Sequence, residues 1–255
     1  MDSSTQYKNL ENKVVFITGG AGGIGAVMVE AFLAQKAKVA FIDINEEAAS
    51  EFIAGLEQQY HDNIWYQTVD VTDADALQAA VFSVAKCFGG LDILINNVAN
   101  DMRHNPEDIS GSDWHKCMQV NLDPAFFASQ AAFQIMKKQH SGSIINFSSI
   151  NALLGAAHMT GYVTAKAGLL GMTKALAKDY GSENIRVNAI LPGWIATEKQ
   201  LANWLTEEEE QKWMESMALK KRIYPQDVAN LALFLASDDS AMLTGQSINI
   251  DGGRT

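Results

Sequence analysis

Thr18-Gly19-Gly20-Ala21-Gly22-Gly23-Ile24-Gly25 follows the β-branched run KVVFIT (13–18) and leads straight into the apolar stretch AVMVEAFLAQ (26–35). Strand, glycine turn and helix in that order make an anion site. Glycines let the backbone approach a pyrophosphate, and the helix N-terminus supplies free N–H groups and partial positive charge. Gly20, Gly22 and Gly25 satisfy G-x-G-x-x-G, while Gly19, Gly23 and Gly25 satisfy G-x-x-x-G-x-G. Glycine turns also serve packing alone, so a second feature has to decide. Asp43 closes the next strand, AKVAFID, at the distance of about 20 residues where a carboxylate accepts hydrogen bonds from ribose hydroxyls. A 2′-phosphate would be repelled there. No Lys or Arg lies in the turn or directly after Asp43, so NAD is expected rather than NADP.

Outward from this unit, strand-like runs alternate with helical patterns along the whole chain. The strands read KVVFIT, AKVAFIDI, NIWYQTVDV, LDILINN, GSIINFSS, IRVNAILPG and QSINIDGG, separated by helical stretches at 24–36, 46–60, 73–88, 112–139, 160–181 and 226–237. Such repetition predicts an α/β fold, a doubly wound parallel sheet of seven strands. Runs such as VVFI, VAFI and SIINF are apolar on successive positions, so helices must cover both faces. No linker or repeat interrupts 1–255, which therefore reads as one domain. One connection, 194–222, is too long for a simple crossover and is expected to be a substrate lid. Its Glu207–Glu210 run fits the first turn of a helix after Thr206, where acids suit the dipole.

Composition narrows the partners. With 19 basic against 30 acidic residues the formal charge is −11, the reverse of a nucleic-acid footprint. No signal-peptide pattern opens the sequence and no apolar run is long enough to span a bilayer, so a cytoplasmic protein without membrane contact is expected. Cys87 and Cys117 lack ligand or disulfide spacing and are expected as core thiols. His61, His115 and His140 form no ligand pattern, and no metal is expected.

Tyr162 and Lys166 lie four apart in GYVTAKAGLLGM, on one face of a predicted helix. A phenol of ordinary pKa about 10 is no base at neutrality, but a lysine ammonium and a cationic nicotinamide beside it stabilise the phenolate. Ser149 ends the strand SIINFSS and offers a hydroxyl for the substrate oxygen, with Ser148 as the competing candidate.

At this point the sequence resembles the short-chain dehydrogenase/reductase family over nearly its whole length. The motifs stand in family order: Thr18-Gly19-x-x-x-Gly23-x-Gly25, Asp70-Val71, Asn96-Asn97-x-Ala99, Asn121, Ser149, Tyr162-x-x-x-Lys166, and Pro192-Gly193 followed by Thr197. The resemblance implies a Rossmann-type fold and Tyr162 as the acid/base. Ser149 would hold the substrate oxygen, and Lys166 would lower the tyrosine pKa and bind nicotinamide ribose. Asn121 would anchor a proton-relay water. It further implies that Gly19, Gly22, Gly23, Ile24 and Gly25 meet the pyrophosphate, Asp70 and Val71 the adenine, and Asn97 and Ala99 the ribose region. Pro192, Gly193, Ile195 and Thr197 would meet the carboxamide end. A homotetramer is frequent in the family, with 112–139, 160–181 and the last strand as expected contacts. The family commonly carries Asn-Asn-Ala-Gly where this chain has Asn-Asn-Val98-Ala99. Asn96 and Asn97 also stand as simple strand terminators.

Asn100-Asp101-Met102-Arg103-His104 looks like a segment of the family's bacterial aldose 1-dehydrogenases, which turn sugars into lactones. Such polar residues suit a polyol, because every buried hydroxyl needs a partner. Asn100, Arg103 and His104 are therefore substrate candidates, together with Asn151, His158 and Trp194, and Trp204 in the lid. The alternatives are a solvated loop with Arg103 paired to Asp101, a surface His158, and tryptophans in the lid core or an oligomer contact. The expected reaction is NAD-dependent oxidation of the C1 hydroxyl of an aldose. A carbonyl reductase of ketone, 3-oxoacyl or steroid-like substrates would use the same residues, and apolar ALLGAA (152–157) would suit it. A nucleotide-binding scaffold without chemistry is the third reading, set against the intact Asn121, Ser149, Tyr162 and Lys166.

Overall fold

The computed structural model describes residues 5–197, 201 and 206–255. Seven strands, β1 (Val14–Thr18), β2 (Lys38–Asp43), β3 (Ile64–Thr68), β4 (Ile93–Asn96), β5 (Gly142–Phe147), β6 (Ile185–Pro192) and β7 (Ser247–Ile250), pair in parallel in the order β3-β2-β1-β4-β5-β6-β7. Every adjacent pair is parallel, as crossover helices require. The helices are α1 (Gly23–Ala34), α2 (Glu46–Tyr60), α3 (Ala74–Phe88), α4 (Gly111–Asn121), α5 (Asp123–Gln139), α6 (Asn151–Leu154), α7 (Thr160–Tyr180), α8 (Glu207–Ser216) and α9 (Pro225–Ala236).

The continuous apolar runs explain the two cores. Val15 and Ile17 face one layer with Phe32 of α1 and Leu233 of α9, while Val14 and Phe16 face the other with Val81 of α3 and Met136 of α5. All of these are buried, so neither face of β1 meets water. Strand order reverses between β1 and β4, and the carboxyl ends there leave the crevice in which ligands of such sheets bind.

Two expectations are corrected. The stretch 112–139 is two helices: the chain breaks at Leu122 (φ −128°, ψ −57°), and Pro124 opens α5, where its missing N–H costs nothing. Cys87 is exposed, because Phe88 rather than Cys87 packs the last turn of α3 onto the sheet. The connection after β6 does carry a helix, α8. Thr206 accepts from the Glu209 N–H (3.2 Å), and Glu209 accepts from the Thr206 N–H (3.4 Å). Ile195 bridges to Ile223, tying together the ends of this segment. Trp204 lies outside the described residues. Among the described residues no helix is long and apolar enough to cross a membrane.

Candidate active site

The glycine turn sits at the carboxyl end of β1, beside the crevice. A Cβ on Gly25 would lie 1.9 Å from the Gly19 carbonyl oxygen, so this glycine is required for α1 to pack against the turn. Gly22 differs. Its φ of −161° is open to any residue, and a Cβ there would meet no atom of the described residues within 4 Å. Nothing among the described residues demands a glycine at 22, which fits a position kept bare for something approaching from outside. Asp43 accepts from the N–H groups of Ala21 and Asn45, both at 3.0 Å, and so holds the turn from the end of β2. A carboxylate has about four acceptor sites, which leaves room for hydroxyl donors as well. Asp70 lies past β3 on the same sheet edge, accepting from the N–H and hydroxyl of Thr72, and Val71 packs at the edge of the second core.

Asn97 spends its amide on the turn itself, donating to the carbonyls of Thr18 and Gly19, both at 3.0 Å. The N–H groups of Asn97 and Val98 both donate to the Thr18 hydroxyl. The departure to Val98-Ala99 therefore keeps the strand-end bonding intact. Asn96 joins a buried network with Asn146 and Ser129 beneath the sheet edge rather than the cleft.

Beside this turn lies a cleft of about 530 Å³. Ile24, Asn97, Ala99, Arg103, Ser149, Asn151, Tyr162, Lys166, Pro192, Gly193, Trp194, Ile195 and Thr197 all line it. Strands β5 and β6 deliver Ser149 and Pro192-Gly193, and one face of α7 delivers Tyr162 and Lys166. The four-residue spacing puts the Lys166 ammonium 5.8 Å from the Tyr162 ring centre. Lys166 is about 1% exposed and donates to the Phe147 carbonyl at 2.7 Å. Ser148 is occupied, donating to the Lys166 carbonyl at 2.7 Å, so Ser149 is the hydroxyl left for the cleft.

The electrostatics differ from the simple expectation of a lowered tyrosine. Burial pushes the Tyr162 phenol up to about 12, a hydrogen bond with Ser149 pulls it down, and the Asp101 carboxylate raises it. Burial likewise pushes Lys166 down to about 7, against a smaller opposing influence of Cys117. Desolvation disfavours both charged forms and is the largest influence on each.

Asn121 lies beneath the cleft, and Asn100, His104 and His158 lie outside its lining. Asn121 is buried; its side-chain Oδ1 accepts from the Asn100 N–H (2.8 Å) and its side-chain amide donates to the Asn100 and Cys117 carbonyls (3.0 Å each). It holds the backbone of the 100–104 loop from beneath. The Asn100 side chain turns to its own loop, accepting from the Met102 N–H, and is not a lining group. His104 packs toward Gly161 of α7, outside the cleft lining, and its N–H is bound to the His158 carbonyl at 2.7 Å. His158 has a φ of +60° and an exposed side chain, also outside the lining. The loop is thus folded so that alternate residues, Asp101 and Arg103, face inward.

Sequence reading missed Glu209, Lys212 and Trp213 of α8, and Arg254 from the turn after β7. Their only signal is spacing: Glu209, Lys212 and Trp213 share one helical face, but nothing in the sequence says what that face covers.

A profile described as enoyl-(acyl carrier protein) reductase matches residues 19–255. The chain belongs to the short-chain dehydrogenase/reductase family. Within the family it is 42% identical over 250 residues to a "Probable galactose dehydrogenase" of Rhizobium meliloti, covering 98% of each chain. It is 40% identical over 251 residues to a D-xylose 1-dehydrogenase of Caulobacter vibrioides, covering 98% of this chain and 99% of the relative. A 3-oxoacyl-[acyl-carrier-protein] reductase of Thermotoga maritima is 36% identical over 244 residues, 96% of this chain and 98% of the relative. Among solved structures, a short-chain type dehydrogenase/reductase from Mycobacterium ulcerans superposes with a TM-score of 0.91 at 25% identity, covering 98% of this chain and 91% of that one. The protein is accordingly an oxidoreductase of this family, which uses a nicotinamide cofactor.

Proposed function

We propose that the chain is an NAD-dependent aldose 1-dehydrogenase, oxidising the C1 hydroxyl of a sugar to a lactone. The observation that carries this reading is the pair Asp101 and Arg103, which line the same cleft as Tyr162 and Ser149. They bring hydrogen-bonding groups of both kinds to the reacting end, as a polyol needs. The galactose and xylose dehydrogenases among the relatives agree with it. A 3-oxoacyl reductase is the second reading, favoured by relatives of that name. Against it, the apolar 152–157 segment keeps Leu153 and Leu154 exposed and outside the cleft lining.

The residues present fit a dinucleotide, since the bare approach at Gly22 and the Asp43 carboxylate stand beside the cleft. Gly19, Gly22, Gly23, Ile24 and Gly25 would hold its pyrophosphate and Asp43 its ribose, in preference to a 2′-phosphate. Asp70 and Val71 would meet adenine, and Asn97, Ala99, Lys166, Pro192, Gly193, Ile195 and Thr197 the nicotinamide half. When bound, the oxidised cofactor supplies the hydride acceptor and a positive charge. Ser149 holds the substrate oxygen, and Tyr162 takes the hydroxyl proton. Because burial holds the phenol at about 12, oxidation should quicken from neutral toward alkaline pH. Lys166 stands behind Tyr162, and Asn121 fixes the loop that carries Asp101 and Arg103. The described residues of the 194–222 connection, α8 among them, form the substrate lid.

Screening aldoses with NAD against ketones and 3-oxoacyl thioesters with NADH tests the reading. Lactone formation from a pentose or hexose is expected, and a methyl glycoside, whose anomeric hydroxyl is blocked, should be inert. An aldose panel that gives no NADH, with efficient ketone reduction, would overturn the sugar assignment. We also propose a homotetramer through α4, α5, α7 and β7. Light scattering at micromolar concentration should exceed the 27.8 kDa monomer severalfold, and a monomer mass refutes this.

A further inference from the structure

The turn after β7 is built to place one side chain. Asp251 is buried and accepts from the N–H groups of Gly253 and Thr255 (2.9 Å each) and from the Thr255 hydroxyl (2.7 Å). Gly252 and Gly253 take φ of +67° and +78°, and their carbonyls accept from the Leu219 and Ala218 N–H groups (2.8 and 3.3 Å) just beyond α8. This knot leaves Arg254 with its guanidinium 3.8 Å from the centre of the Trp213 ring, on the wall of the substrate cleft. Trp213 in turn meets Trp194 edge to face, with ring centres 6.0 Å apart.

Both members of the stack carry unspent donors. Among the described residues the Arg254 guanidinium makes no direct hydrogen bond or close ion pair, and the Asp251 carboxylate at the base of the turn attracts it from a distance. The indole Nε1 of Trp213 is buried with no acceptor among the described residues. The other α8 charges on this wall are committed, Lys212 to Glu208 at 2.7 Å and Glu209 to the Thr206 cap. A guanidinium seated over an indole keeps an N–H fork that can grip two neighbouring oxygens. Burying a donor without an acceptor is unfavourable, so the buried Trp213 N–H beside the half-buried Arg254 fork on the cleft wall suits oxygens brought by a ligand.

We propose that Arg254, seated on Trp213, is a substrate-recognition residue that grips a vicinal pair of hydroxyls on the side of the sugar remote from the reacting carbon. This deepens, and rests on, the aldose reading above. In a pyranose whose C1 faces Tyr162, those hydroxyls are the ones on C3 and C4, across the ring. Arg254 then selects among aldoses, while Ser149 and Tyr162 act on the carbon common to all of them.

The test compares wild type, Arg254→Ala, Arg254→Lys and Trp213→Phe with D-galactose, 2-deoxygalactose, 3-deoxygalactose and 4-deoxygalactose. Arg254→Ala should lower kcat/KM for galactose by about 10- to 100-fold, mainly through KM, with NADH affinity changed less than about twofold. Arg254→Lys keeps the charge but loses the fork and should recover only part. Trp213→Phe keeps the ring beneath the guanidinium and should lose less than Arg254→Ala. The decisive readout is the deoxy penalty: wild type should discriminate against the 3- and 4-deoxy sugars, and Arg254→Ala should not. A mere loosening of the lid would lower all the sugars alike and leave that penalty in place, overturning the proposal. An unchanged kcat/KM for galactose in Arg254→Ala overturns it too. Should wild type oxidise no aldose, the functional reading has failed by itself. The sugar-hydroxyl role falls with it; an Arg254-dependent KM for 3-oxobutanoyl thioester reduction would keep Arg254 as a substrate contact of the cleft wall, and an unchanged kcat/KM there would remove that contact as well.

Discussion

Replacing Lys166 by methionine should flatten the pH dependence of folding stability, because this lysine is buried at about 1% exposure among groups that hydrate it poorly. Burial moves it from an ordinary 10.5 down to about 7. In the unfolded chain Lys166 keeps its proton to its ordinary pKa, whereas in the folded chain it releases it near neutrality. Between those limits the unfolded state binds more protons, so wild-type stability rises with pH. The penalty is full below pH 7 and fades as pH approaches 10.5. One group gives a slope of about 1.4 kcal/mol per pH unit, and the whole interval bounds the gain at about 5 kcal/mol. Methionine nearly fills the stem volume but cannot donate to the Phe147 carbonyl, which costs about 1–3 kcal/mol at every pH and leaves the slope untouched. Tyr162, raised to about 12, acts in the opposite sense only above pH 10, so measurements belong between pH 7 and 9.5. Urea unfolding followed by tryptophan fluorescence, without cofactor and at one protein concentration, gives both slopes. Parallel pH profiles for wild type and Lys166→Met would show that the buried lysine keeps its proton when folded, and would refute the argument.

Tyr162→Phe should cut turnover by about 10²–10⁴-fold while NAD affinity is largely kept, and a near wild-type rate would remove Tyr162 from the mechanism. Wild type should prefer NAD over NADP by at least about tenfold, roughly 1.4 kcal/mol, and Asp43→Ala should narrow that ratio; equal wild-type turnover with both cofactors rejects the assignment. Gly25→Ala sets a methyl against the Gly19 carbonyl, so one backbone or the other must shift. It should destabilise the chain by about 1–3 kcal/mol and weaken NAD binding, and unchanged titrations would contradict that packing. Arg103→Ala should lower kcat/KM for a sugar by the equivalent of about 1–3 kcal/mol with NADH binding intact, as expected for one lost substrate contact.

The sequence by itself determined the parts whose signal is local. Apolar runs, the glycine turn and Asp43 carry their structural meaning within a few residues, because period, φ freedom and charge are properties of short segments. The α7 face with Tyr162 and Lys166 was legible for the same reason. Everything that depends on which way a loop folds was decided by tertiary structure. Asn100, Arg103 and His104 are neighbours in sequence, yet only Arg103 reaches the cleft, since Asn121 and the His158 carbonyl fix the loop backbone first. Ser148 and Ser149 were equivalent until the Lys166 carbonyl took one hydroxyl. The ionisation of Tyr162 and Lys166 followed burial, a quantity set by the whole packed layer rather than by their spacing. Arg254 is the furthest case: it lies 92 residues beyond Tyr162, and only the parallel sheet and the Asp251 turn bring it onto Trp213 at the same cleft. A side chain's partners across the fold are long-range contacts, which the sequence around it does not encode.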